Sequence, residues 1–96
     1  MGDPTWGLAV TNGCDHPVEL VVWDSGEPDD LETMALYVTT YEPGETITEG
    51  TPAGKRTVYI VAGVGKGSPV TLETFEMVQD GASYTISGDD CALAAP

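Results

Sequence analysis

The chain has 96 residues, enough for one domain, since halves of it would be too small to bury a core. Sixteen Asp and Glu against three Lys and Arg give a formal net charge of −13, and residues 1–54 contain no Lys or Arg. That balance sets the chain against nucleic acid and anionic membranes, which need cations to meet phosphate, and favours solubility, cations and basic partners. No stretch approaches the run of about 20 apolar residues that a membrane-spanning helix needs.

The N-terminus, Met1-Gly2-Asp3-Pro4, lacks the basic start and apolar stretch of a signal peptide, so export requires that a leader was removed. Gly2 invites a myristoylation reading, but Trp6 stands where that pattern needs Ser or Thr. Seven strands then follow from alternation and β-forming residues. The first is Trp6 to Asn12, with Trp6, Leu8 and Val10 on one face, and Asn12-Gly13 marks a turn. Val18 to Asp24 is the second, with Val18, Leu20 and Val22 inward and Glu19, Val21 and Trp23 opposite. After an acidic loop from Ser25 to Thr33, the third spans Ala35 to Tyr41 and ends at Pro43-Gly44. Leu31 to Leu36 has room for one helical turn but shows no sustained 3.6-residue period.

The fourth strand is short, Thr46 to Glu49. The fifth, Arg56 to Val64, is the most β-branched and aromatic run and is expected at the centre of a sheet. Gly63 to Gly67 forms a glycine-rich hairpin loop leading to the sixth, Val70 to Val78. Its inward set switches from Val70 and Leu72 to Phe75 and Met77, which predicts a β-bulge near Thr74. The seventh is Ala82 to Ser87, where Tyr84 is placed to act as a corner tyrosine, and a small-residue tail follows Cys91. These elements predict a single all-β domain over residues 1–96, a two-layer antiparallel sandwich of immunoglobulin-like type. Residues 1–5 and 92–96 are expected to be flexible ends.

Cys14 and Cys91 bracket almost all of this, and a bond between them requires that the terminal segments meet. Asp15, Asp89 and Asp90 beside them raise thiol pKa, the wrong direction for a nucleophile or redox sensor. Without a C-x-x-C or further ligands, zinc is not indicated. A Cys14–Cys91 disulfide closing a loop of about 77 residues contributes roughly 4–5 kcal/mol in the chain-entropy model and points to a secreted or cell-envelope protein.

Val10-Thr11-Asn12, Val22-Trp23, Gly26-Glu27-Pro28 and Pro43-Gly44 follow one another in an order that resembles the start of the von Hippel–Lindau β-domain. The resemblance covers roughly the first half of the chain. It implies a seven-stranded sandwich of prealbumin-like topology and a habit of peptide binding. That family holds a hydroxyproline-bearing peptide with histidine, serine and tyrosine. Here the single histidine, His16, lies in a different segment, so none of those binding residues carries over, and the paired cysteines are a departure.

Gly63-Val64-Gly65-Lys66-Gly67-Ser68 looks like a phosphate loop only superficially, because Gly67 follows the lysine and a strand opened by Pro69 comes next. Asp24, Glu27, Asp29, Asp30 and Glu32 crowd around Gly26 and Pro28. The favoured reading is a solvated acidic loop and no cofactor; the alternative is a weak Ca²⁺ site on Asp24, Glu27, Asp29 and Asp30. Trp23, Tyr59 and either Tyr37 or Tyr41 are expected on the face opposite the aliphatic residues. There they pack at the core or rim, or form a platform for sugar rings or a protein. His16 reads as a surface residue, a metal ligand only if carboxylates join it.

One histidine beside a disulfide cysteine gives nucleophilic catalysis little support. The reading is therefore an exported, non-enzymatic binding module whose acidic loops and strand edges meet another protein or a basic surface. Alternatives are a secreted enzyme inhibitor presenting a rigid loop, Gly26–Asp30 or Gly63–Ser68, and a calcium-dependent module.

Overall fold

A computed structural model describes residues 4–96, and the readings made for Met1, Gly2 and Asp3 lie outside the described residues. Seven strands make two facing sheets. One has the order β4-β1-β7, from β1 (Thr5–Asn12), β4 (Thr46–Pro52) and β7 (Ala82–Ile86). The other has the order β3-β2-β5-β6, from β2 (Val18–Asp24), β3 (Thr39–Tyr41), β5 (Arg56–Ala62) and β6 (Val70–Met77). The predicted sandwich and the central place of β5 are borne out. One pairing departs from the antiparallel expectation: β1 and β7 run parallel, in the register Leu8↔Ala82 to Asn12↔Ile86. Parity explains it. Each strand reverses the chain, so the first and the seventh point the same way whenever they become neighbours.

The core is what alternation along the strands predicts. Leu8 and Val10 from β1, Val18 and Leu20 from β2, Val58 and Ile60 from β5, Met77 from β6 and Ile86 from β7 are all fully buried between the sheets. The bulge in β6 falls at Leu72, where Ile60 pairs with Glu73 but Val61 pairs with Thr71. The extra residue lets both Leu72 and Phe75 pack on the core, and Phe75 meets Tyr84 edge-to-face at 5.7 Å. At the Pro43-Gly44 turn, the Glu45 amide donates to Glu42 O (2.9 Å) and Gly44 takes φ +79°, a type II turn with proline and glycine where that turn needs them.

The third strand is the main correction. Only Thr39–Tyr41 is extended, and Leu31–Ala35 is instead a short helix, α1. Asp30 caps it, accepting from the Glu32 amide (3.1 Å) and the Thr33 hydroxyl (2.8 Å), while Met34 is buried against the outer face of the four-stranded sheet. Burial of Met34 together with the cap outweighs the weak strand preference of Ala35 and Leu36. Val64, expected to end β5, instead opens a 3-10 turn, Val64–Lys66, inside the predicted hairpin loop; the turn is flanked by left-handed Gly63 and Gly67, and it too buries an apolar residue, Val64.

Cys14 and Cys91 are joined, with their Cα atoms 5.8 Å apart. The bond ties the β1–β2 loop to α2 (Asp90–Leu93), and a disulfide of this kind belongs to an oxidising compartment. Residues 92–96, read as a free end, are held down: Ala94 is buried in the core and its carbonyl accepts from the Glu19 amide (2.8 Å). That contact extends the ladder beside β2 past Leu20, whose partner Ala62 is the last residue of β5. No helix among the described residues is long and apolar enough to cross a membrane.

Candidate functional site: an aromatic and acidic face on the four-stranded sheet

In strands β2 and β5, alternation sends one set of side chains to the core and the other outward. The outward set here is apolar. Register places Val21 opposite Val61 and Trp23 opposite Tyr59, so two cross-strand pairs build the floor of a second cluster. Met34 of α1 and Val64 of the 3-10 turn close over it, with Val38 and Tyr59 at its margin.

Trp23 is the centre of this face. It is 5 % exposed, its indole N–H donates to Pro28 O (3.2 Å), and Tyr37 leans on it with ring centroids 5.6 Å apart. Tyr37 itself is 60 % exposed. Trp23, Tyr59 and Tyr37 therefore do come together, with Trp23 as a buried ridge and the tyrosines on either side. Tyr41 does not join them. It points into the core, fully buried, and its hydroxyl donates to Glu49 Oε1 (3.4 Å). Burial and the Glu49 charge push its phenol well above the usual 10.

Two hollows flank the ridge. A groove of about 610 Å³ runs between α1 and the start of β6, lined by Trp23, Tyr59, Met34, Glu27 and Asp29. Past the ridge, between this end of β2 and β4 of the opposite sheet, a hollow of about 370 Å³ is lined by Trp23, Tyr37, Asp24, Glu27, Thr33 and, from β4, Glu49. No Lys or Arg lines either one.

The acidic loop has divided its charges. Asp24 is paired with Arg56 and also accepts from the Gly26 amide (2.9 Å), and Asp30 is spent on capping α1. Glu27 and Asp29 make no side-chain hydrogen bond or ion pair among the described residues. The four carboxylates of the calcium reading thus face different tasks. Among the described residues no three His, Cys, Asp or Glu side chains are grouped as a metal would need. His16 is half-buried in the loop after β1, donating from Nδ1 to Pro17 O (2.9 Å). The Gly63–Ser68 loop buries Val64 and exposes Gly65 to Ser68, and it is closed by the Ser68 amide on Gly63 O (3.0 Å). Tyr84 bonds Asp90 Oδ2 (2.6 Å), a downstream carboxylate rather than the upstream backbone that a corner tyrosine meets.

Sequence reasoning missed Met34 as the cover of the aromatic cluster. The signal was present: Asp30 directly before Leu31 with Met34 three residues on is the start of a capped amphipathic turn. Asn12 was read as a turn residue, yet it is fully buried and holds the β1–β2 loop. No family model, curated protein or solved structure matches the chain.

Proposed function

We propose that the protein is an exported, non-enzymatic interaction module whose partner docks on the outer face of the β3-β2-β5-β6 sheet. The observation that carries this is the open groove beside Trp23, an aromatic floor with an acidic rim. The disulfide supports a secreted or envelope location, where such a module is displayed. The habit of peptide binding implied by the resemblance to the von Hippel–Lindau β-domain points in the same direction. Rigid walls favour binding, because α1, the 3-10 turn and the β2–β5 ladder are already ordered and little entropy is lost on docking.

The test is site-specific photo-crosslinking in the envelope or secreted fraction of the source. A photoreactive residue at Tyr37 or Tyr59 is expected to capture a defined protein. One at Thr85, exposed on the opposite sheet, is expected to capture none. Capture from Thr85 alone would place the interface on the wrong sheet.

A further inference from the structure

The two hollows beside Trp23 are chemically alike. Each is lined by one tyrosine ring and one uncompensated carboxylate of its own, Tyr59 with Asp29 on one side and Tyr37 with Glu49 on the other. Both share Glu27. Asp24 is already neutralised by Arg56, and Glu49 accepts only a phenol hydrogen bond, so three carboxylates remain without a cation among the described residues. Building on the docking face proposed above, we propose that its occupant is an extended polypeptide segment carrying two cationic side chains, one lying in each hollow astride Trp23.

Charge and shape together select this occupant. A Lys or Arg side chain lays an aliphatic stem along apolar surface and keeps its charged head at the rim, which suits an aromatic floor with carboxylates above it. The tyrosine rings add a cation–π attraction that neutral or anionic side chains lack. A purely apolar segment would strip water from Glu27, Asp29 and Glu49 without replacing their hydrogen bonds. A second copy of this chain brings another −13 to the same place, so self-association through this face is opposed. A sugar would stack on an open ring face. Trp23 offers none, being 5 % exposed and leaned on by Tyr37. A single cation would leave one hollow with its carboxylate unmatched, and the shared Glu27 makes the two sites adjoin along one chain.

The experiment is calorimetric titration of the intact, disulfide-bonded protein with synthetic Gly/Ser/Thr peptides. These carry no Arg, one Arg, or two Arg at spacings from adjacent to six apart. A two-Arg peptide at the best spacing is expected to bind about tenfold tighter than the one-Arg peptide, from one added exposed ion pair and one cation–π contact. Asp29→Asn and Glu49→Gln, each on its own side, are expected to reduce that advantage to about threefold or less, whereas Glu27→Gln weakens one-Arg and two-Arg peptides alike. Glu27 and Asp29 are exposed, whereas Glu49 is half-buried and accepts from the core Tyr41 hydroxyl, so circular dichroism and urea unfolding of each variant check that the fold is intact. Equal affinity for one and two Arg, no dependence on spacing, or no binding at all would overturn the proposal. So would a free polyamine binding as tightly as the best peptide, since the ligand would then not be a polypeptide. A crosslinked partner that meets Tyr37 and Tyr59 through a segment without basic residues would sink this inference and leave the docking face standing. A partner mapping only to β1 and β7 would remove both.

Discussion

Replacing Asn12 is expected to cost more than any surface change in this protein. Its side chain is fully buried at the end of β1 and serves three backbone groups at once. Nδ2 donates to His16 O (2.9 Å) and Tyr41 O (3.0 Å), and Oδ1 accepts from the Cys14 amide (2.8 Å). Its own amide and carbonyl meet Glu45 O (2.9 Å) and the Gly44 amide (2.8 Å), so one residue joins β1, β3, the Pro43-Gly44 turn and the disulfide loop. Asn12→Ala leaves the Cys14 amide buried without its partner and strips one bond from the buried Tyr41 carbonyl, which stays in the ladder opposite Val18. At roughly 1–3 kcal/mol each, plus the part-buried bond to His16, the loss is about 3–5 kcal/mol. That is a large share of the 5–15 kcal/mol or so that holds a domain of this size.

Asn12→Asp keeps the shape and the acceptor for Cys14 but turns an oxygen toward two carbonyls. The buried carboxylate is then favoured in its protonated form, so its folded-state pKa rises above the unfolded value of about 3.9. With that sign, the deficit of Asn12→Asp is greatest at neutral pH and shrinks as pH falls towards the unfolded pKa, whereas that of Asn12→Ala has no such dependence. Urea unfolding followed by tryptophan fluorescence, with the disulfide intact, measures both. A loss below about 1 kcal/mol for Asn12→Ala, or two variants with the same pH profile, would refute the account of this node.

Opening the crosslink with paired Cys14→Ser and Cys91→Ser is expected to lower stability by up to about 4–5 kcal/mol, read from the same urea curves; an unchanged midpoint would show that the linkage does not constrain the unfolded chain. Gly63→Ala is expected to destabilise by at least about 1–3 kcal/mol, because φ is +76° and an added Cβ would lie 2.3 Å from Ser68 O. Gly65→Ala, with nothing within 4 Å, is the neutral control in thermal denaturation. Tyr84 is pushed up to about 12 by burial and by its hydrogen bond to Asp90, and Tyr41 lies higher still. Both folded-state values exceed the unfolded one, so these groups leave stability intact below pH 10 and withdraw it as pH rises from there towards 12. Ultraviolet titration of tyrosinate should show two late groups, one of which disappears in Tyr84→Phe.

The strands, their inward faces and the meeting of the two termini were legible in the sequence because each is a local or pairwise signal. Val18, Leu20, Val58 and Ile60 alternate with outward residues, Pro43-Gly44 fits only a turn, and two cysteines can bond only if their segments touch. The chain also placed Trp23 and Tyr59 on one outward face, by counting positions alone. What it left undecided was register, cover and charge pairing. That Trp23 stands opposite Tyr59, that Met34 turns helical to seal the cluster, and that Arg56 neutralises Asp24 while Glu27 and Asp29 are left over depend on contacts between distant segments.

Chain order thus settled that this is a strand-built, acidic domain fastened at both ends. Three-dimensional packing alone decided which carboxylates stay unmatched beside the indole, because pairing of charges follows distance through space and not position along the backbone.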